Sequence, residues 1–356
     1  MRWFLGLVLV VALLVGGAYA VGRFFLPNTL DVTRTTSIAR PRAAIFAMVN
    51  DLRIAREWSP YNARDPDAEY TISDEPGAGQ SMRWTSNVRE VGSGRMSIVD
   101  SVDNEMVESI IQIGERATLS SRLRLARAQS GTSVAWSISA SCADGWINVP
   151  CRYMNLIMRS TIEKELDSGL ARLKNRAEQL PNFDFEGLDI LEVVVDPQDV
   201  MFVDVTLATA QPSFADRDAA QRRGVEALTS SVTTAGGQAD TATLVRVLPQ
   251  NNGVDGRWRF SVGFPYQGPA PVLVGSRLGQ TPGGAALRGV IVGPRSQVPA
   301  MYQRLEAYRQ AHRIALRQGV DAWEVVTQVA QPEGADPADP VERTEIYFPI
   351  ESNERS

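Results

Sequence analysis

Apolar and polar positions follow three different rhythms along the chain. From Trp3 to Gly22 there is no charge, Leu, Val and Ala dominate, and Arg2 and Arg23 bracket the run. These twenty residues, as a helix, rise about 30 Å, the thickness of a bilayer core, so the segment predicts a single transmembrane helix. Beyond Pro27 the period shortens to two. Thr29 to Ile38 alternates as a strand does, Pro41 opens a helix over Arg42 to about Asn50, and Glu69 to Ala140 reads as successive strands. Turn signals at Pro76-Gly77-Ala78-Gly79, Gly92-Ser93-Gly94, Gly114 and Gly131 divide them. Asp65 and Asp67 follow a turn at Trp58 and read as loop or capping residues; Asp100, Asp103, Glu105 and Glu108 read as a solvated stretch around a turn. After Pro150 the period lengthens again. Leu166, Leu170, Leu173, Ala177 and Leu180 make one apolar stripe on a long helix that Pro181 ends. The outline is α+β, with a curved sheet wrapped around its last helix.

The second half repeats itself. Arg259-Phe260-Ser261-Val262-Gly263-Phe264-Pro265-Tyr266 returns in shape as Arg343-Thr344-Glu345-Ile346-Tyr347-Phe348-Pro349-Ile350, an offset of about 84 residues. A helix precedes each copy, with Val225, Leu228 and Val232 sharing a face in the first and Val298, Met301, Leu305 and Tyr308 in the second. A strand precedes each helix, Val200 to Leu207 and Leu287 to Val292. Two strand–helix–strand–strand units are too few and too long for a solenoid; a pseudo-twofold pair sharing one sheet, with a groove between its helices, is the expected product. The organisation is therefore an anchor over residues 1–27, a first domain over 28–181 and a second over 188–351.

Composition narrows the chemistry. A hydrophobic fraction of 44% with 22% charged residues suits buried cores, and a net charge of -5 supplies no field for a phosphate backbone, so no nucleic-acid partner is expected. His312, the one histidine, lies in a helix-favouring run and reads as a solvated helix residue; with only Cys142 and Cys151 beside it, no metal-ligand spacing exists, and no cofactor is expected. Pro282-Gly283-Gly284 lacks the lysine and hydroxyl of a phosphate loop. Cys142 is placed at the end of the first domain's last strand and Cys151 at the start of its long helix. A disulfide closing a short loop and a pair of buried thiols stand as equal alternatives. The apolar N-terminus has two readings, a retained anchor and a signal peptide cleaved at Ala18-Tyr19-Ala20. Its length and the flanking Trp3 and Phe24-Phe25 favour the anchor, hence a single-pass membrane protein. Arg2 argues for an N-terminus in the cytoplasm; Arg23, Arg34, Arg40 and Arg42 argue the reverse, so orientation stays open.

Two resemblances follow from these residues. Glu57-Trp58-Ser59-Pro60-Tyr61, Asp65-Pro66, the turn at Gly77 to Gly79, Trp84, Gly92-Ser93-Gly94 and the helix carrying Leu166 to Glu178 resemble the SRPBCC superfamily (START-like, polyketide cyclase-like). The resemblance implies a helix-grip fold enclosing an apolar cavity. Trp58 and Trp84 are then either ordinary core or the lining of a cavity mouth. The duplicated half, with Tyr308 to Arg313, Ala322-Trp323-Glu324 and the ending Thr344 to Ile350, resembles the gyrase-inhibitor-like effector-binding domain. By that resemblance Glu345 projects into a central cleft and meets cationic, often aromatic ligands, and some family members use the equivalent carboxylate in hydrolysis.

The residues themselves carry part of that reading. Strand alternation puts Glu345 and Tyr347 on one face and Ile346 and Phe348 on the other. A carboxylate beside an aromatic ring attracts a cation by charge and by the ring face. Trp323 is either a further aromatic wall or core. Ser261 holds the place of Glu345 in the first copy, so one carboxylate stands alone, thin equipment for hydrolysis and adequate equipment for binding. The expected partner is a small lipophilic or cationic molecule, with the membrane reached through the N-terminal helix. Hydrolysis with Glu345 as general base, and a ligand-free protein-interaction platform, are the alternatives.

Overall fold

The computed structural model describes residues 2–352 except 61, 63, 74, 115, 116, 144, 146, 147, 250, 251, 269–273, 333, 335, 337 and 338. The chain divides into two units, residues 1–186 and 187–356, and each is mixed α+β around one antiparallel sheet.

The first unit begins with α1 (Arg2–Phe24), whose segment Gly6–Phe24 is long and apolar enough to cross a membrane, a property anchors and secretory signals share. There follow β1 (Thr29–Ile38), α2 (Arg42–Val49), α3 (Leu52–Trp58), β2 (Glu69–Ile72), β3 (Ser81–Thr85), β4 (Ser93–Val102), β5 (Met106–Ile113), β6 (Ala117–Ala128), β7 (Gly131–Ser141) and α4 (Val149–Ala177). The sheet runs β1-β7-β6-β5-β4-β3-β2, a meander that β1 joins only at its far edge. Helix α4 grips the sheet over a core that includes Ile38, Ile98, Leu166, Leu170 and Leu173. Its stripe turns inward as the spacing predicts. Gly169 permits the close approach, since a Cβ there would lie 2.5 Å from Trp136 Cζ3.

The turn expected at Trp58 follows directly on the end of a short helix, α3, with Pro60, Asn62 and Arg64 in turns. Asp51 caps this helix by accepting the Arg53 amide through its side chain, and the sequence pattern did not predict it. Asp65 behaves as a loop residue, accepting from the Asp67 amide at 3.2 Å and from the Ser86 hydroxyl at 2.5 Å. Cys142, one residue past β7, is disulfide-bonded to Cys151 in the first turn of α4. The alternative of two buried thiols therefore falls.

Helix α1 touches α4 through specific groups. The Tyr153 hydroxyl donates to the Ala18 carbonyl at 2.6 Å, and Arg152 donates to the carbonyls of Arg23 and Leu26 at 2.8 and 2.9 Å. Arg23 is in the last turn of α1, where carbonyls lack partners within the helix and carry its negative dipole end, and Leu26 lies just beyond it. Gly22 makes room: a Cβ would lie 2.5 Å from Val149 Cγ1 and 2.6 Å from Tyr153 Cε2.

The second unit contains β8 (Asp189–Val195), β9 (Asp199–Leu207), α5 (Phe214–Thr234), β10 (Thr243–Leu248), β11 (Trp258–Pro265), β12 (Ser276–Gln280), β13 (Gly284–Pro294), α6 (Val298–Ala311), β14 (Ala322–Gln328) and β15 (Val341–Pro349). Its eight strands run β12-β9-β11-β10-β14-β15-β13-β8. The order from each outer strand to the central β10–β14 pair is β12-β9-β11-β10 on one side and β8-β13-β15-β14 on the other. Pattern reading missed the outer strands β8 and β12. Leu228 and Val232 of α5 pack with Met201, Val262 and Phe264, while Met301 and Leu305 of α6 sit over Gly289. Both helices therefore cover the same face. His312 caps α6, its Nδ1 2.9 Å from the Tyr308 carbonyl and its ring stacked on Tyr308 at 3.9 Å.

Candidate ligand-binding sites

The first unit holds a cavity of about 140 Å³ between α4 and the sheet. Its inner wall is apolar: Met82, Met96, Ile111, Leu119, Ile138, Ile162 and Leu166 line it with Trp58 and Trp136. The two indoles meet edge to face at 5.5 Å, and each N–H is satisfied, Trp58 by the Met48 carbonyl at 3.2 Å and Trp136 by the Ser121 hydroxyl at 2.9 Å. The wall therefore offers ring faces and no free donor. Trp84 is half-buried and also lines the cavity, beside Tyr70, whose ring carries the Arg56 guanidinium at 5.0 Å from its centroid. Burial holds the Tyr70 hydroxyl above the ordinary phenol range. Three charged residues also line it: Arg56 and Glu90 are exposed, and the mostly buried Glu165 is paired with Arg64 at 2.9 Å. Trp58 and Trp84 thus answer the core-or-cavity question together: Trp58 is 4% exposed yet lines the space. Tyr61, part of the same motif, lies outside the described residues.

In the second unit Glu345, Tyr347 and Trp323 come together. Trp323 and Tyr347 are register partners across β14 and β15, and their rings stack at 4.8 Å and 3°. The Tyr347 hydroxyl donates to Glu345 at 2.5 Å, and Arg343 stands 2.9 Å from the other carboxylate oxygen. Burial, then the Glu345 bond and charge, push the Tyr347 hydroxyl far above the phenol range, so it stays a donor. Trp323 is fully buried among Ala286, Val193 and Val325, which makes it a core residue stacked on Tyr347. Phe348 lies on the opposite face, its ring 5.7 Å from that of Tyr302 on α6. Glu345 and Tyr347 consequently look away from the helices.

The groove between α5 and α6 carries a different acid. A cavity of about 290 Å³ there is lined by Asp218, Arg217, Arg246, Arg295, Tyr302 and Glu324, over Trp258 and Phe260. Glu324 is 3% exposed, accepts from the Tyr302 hydroxyl at 2.7 Å and pairs with Arg246 at 2.5 Å. Burial, then the Glu324 charge, raise the Tyr302 hydroxyl well above its ordinary range. Arg295 joins Asp218 to Glu342, and Arg222 takes the second Asp218 oxygen. Arg217 lies over the Trp258 ring at 5.6 Å, its buried Nε without a hydrogen-bond partner among the described residues. Sequence reasoning quoted Glu324 without giving it a role. Its signal was a lone acid among Trp323, Val325 and Val326 in a strand, the mark of a carboxylate that needs a buried partner. Among the described residues there is no group of His, Cys, Asp and Glu that could hold a metal ion.

Residues 29–178 match the family model described as polyketide cyclase / dehydrase and lipid transport. Among solved structures, the chain is similar to a protein from Chromobacterium violaceum, at 12% identity over 43% of this chain and 99% of that one, with a TM-score of 0.31. A Staphylococcus aureus protein of unknown function is similar at 9% identity, over 42% of this chain and 94% of that one, with a TM-score of 0.35. The di-domain ARO/CYC StfQ of the steffimycin biosynthetic pathway is similar at 11% identity, over 42% of this chain and 51% of its own, with a TM-score of 0.33. No curated protein matches the chain.

Proposed function

We propose that the protein is a membrane-anchored binder whose first domain takes up part of a lipophilic molecule. The observation that carries this reading is the largely apolar cavity under α4. Its 140 Å³ is the size at which a dry apolar void accepts a benzene-sized guest, so a ring or a short length of acyl chain fits the space as it stands. The match of residues 29–178 to a family that includes lipid transport supports the same class of ligand. The bonds from Tyr153 and Arg152 to the end of α1 support a retained anchor, since a cleaved signal needs no fitted contact with the mature domain. The disulfide supports placing the domains on the oxidising side, with the N-terminus in the cytoplasm. Native mass spectrometry of the full-length protein tests the reading. Wild type should carry an apolar adduct that Ile162→Trp, which fills the cavity, loses; equal adducts on both would overturn it.

A second reading concerns the second domain, resembling the gyrase-inhibitor-like fold, and is favoured by the Trp323–Tyr347 stack beside Glu345. A flat cation could lie against this face with Glu345 as counter-charge. Arg343 already compensates that carboxylate, so the cation binds in its place. Loss of affinity in Glu345→Gln together with a gain in Arg343→Ala is the expected pair of results. Turnover of a ligand that Glu345→Gln abolishes would make the site hydrolytic instead.

A further inference from the structure

The first turns of α4 project an apolar surface that nothing in the first unit covers. Met154, Leu156, Ile157 and Met158 are 56%, 59%, 66% and 39% exposed. A water-facing helix turn would carry polar side chains at such positions, and a cluster of four is a contact surface. Met154 and Met158 are not a separate patch. At intervals of four they continue into Ile162 and Leu166, the cavity-lining residues of the same helix. One apolar stripe therefore runs from the cavity wall to the exposed end of α4.

That exposed end is fixed beside α1. Tyr153 bonds the carbonyl of Ala18, which lies within the apolar span Gly6–Phe24. From Ala18 to the end of that span is about 9 Å of helix rise, so Tyr153 and its neighbours reach below the boundary where the span ends. Phe24 and Phe25, 73% and 80% exposed, mark the boundary, and Arg152 is held there by the carbonyls of Arg23 and Leu26, where guanidinium groups meet headgroups.

We infer that the N-terminal turns of α4 lie in the bilayer interface beside α1, and that their apolar stripe is the way by which an acyl chain passes from the membrane into the cavity. The inference rests on the anchor reading above and names the source of the ligand: a bilayer lipid, taken from the membrane side. The partner is lipid because the patch adjoins the membrane span through fitted hydrogen bonds.

Full-length protein in phosphatidylcholine nanodiscs containing a diazirine-acyl phosphatidylcholine provides the test, with adducts mapped by peptide mass spectrometry after illumination. Adducts should fall both on Gly6–Phe24 and on Met154–Met158, with a weaker set on Ile162–Leu166. In Met154→Glu/Ile157→Glu the α4 and cavity adducts should drop at least fivefold while those on α1 persist. If the double variant fails to fold, the wild-type map decides alone. Adducts on α1 with none on α4 would leave the anchor standing and overturn the inference, giving the patch to another protein surface. Adducts on neither helix would overturn the anchor reading itself.

Discussion

The cavity of the first domain and the cavity of the second occupy the same structural place, the space between a sheet and its covering helices, and have opposite walls. Under α4 the wall is methionine, isoleucine and indole, with a single mostly buried acid, Glu165, paired with Arg64. Between α5 and α6 the wall adds to Trp258 and Phe260 two buried ion pairs, Arg246 with Glu324 and Arg295 with Asp218. An apolar wall gains from any apolar guest, because the guest completes contacts that the empty space lacks. An ion-paired wall gains only from a guest that replaces what it displaces, because a buried charge without its partner is costly. The first cavity is thereby tolerant of ligand identity and the second exacting.

The largest effect is expected where the ionic wall is cut on one side. Arg295→Met strands Glu342 and leaves Asp218 to Arg222 alone, and should destabilise the protein by about 3–5 kcal/mol in urea unfolding followed by circular dichroism. Replacing Arg246 and Glu324 together by Met and Leu should cost far less than Arg246→Met alone, since no orphan charge remains. Equal costs would break the contrast between the walls. In the first domain the corresponding support is covalent: Cys142→Ser with Cys151→Ser should cost about 2–3 kcal/mol in the same experiment, for a closed loop of about ten residues. On the outer face of the second sheet, Glu345→Gln should weaken cation binding by about 1–3 kcal/mol in calorimetry while leaving neutral ligands unaffected.

The smallest effect is a pH dependence. The Arg42 hydrogen bond, against some opposing burial, holds Glu186 below the usual carboxylate range, with Arg127 adding to it. A carboxyl depressed in the folded state contributes stability that is fully present above the unfolded value, about 4.3, and fades as pH falls through the lower folded one. Thermal midpoints from pH 6 to pH 3 should show this loss in wild type and lose that component in Arg42→Ala, on the scale of about 0.5–1 kcal/mol.

Local pattern carried much of this molecule. The stripe Leu166–Leu170–Leu173–Ala177 lies on the buried face of α4, and the alternation Glu345–Tyr347 against Ile346–Phe348 separates two faces as its period requires. What local pattern could not supply was which face meets which neighbour. Trp323 and Glu324 are adjacent and both buried, one against Tyr347 and the other under Tyr302; the sequence of β14 names both residues and neither partner. Helix α3 was hidden because its signal, the Asp51 cap, sits before a segment too short to show a period. Strands β8 and β12 are edge strands whose exposed Val194 and Leu278 blur the alternation. The thiols could be placed near each other from the flanking elements, but their bonding required the turn between β7 and α4.

The outer strands of the second sheet bear on how the chain is made. β8 is the first strand of its unit to leave the ribosome, yet its only partner is β13, so Ile190 waits for Gly289. β12 in turn reaches back to β9, with Leu278 against Met201. Each half of the sheet thus borrows its rim from the other, and neither half can close its edge during synthesis. Such non-local pairing raises contact order and slows folding, whereas β2 to β7 of the first unit pair strand by strand as they appear. The second unit should therefore be the slow folder, a unit whose unpaired edges stay open to wrong partners until its last strands arrive.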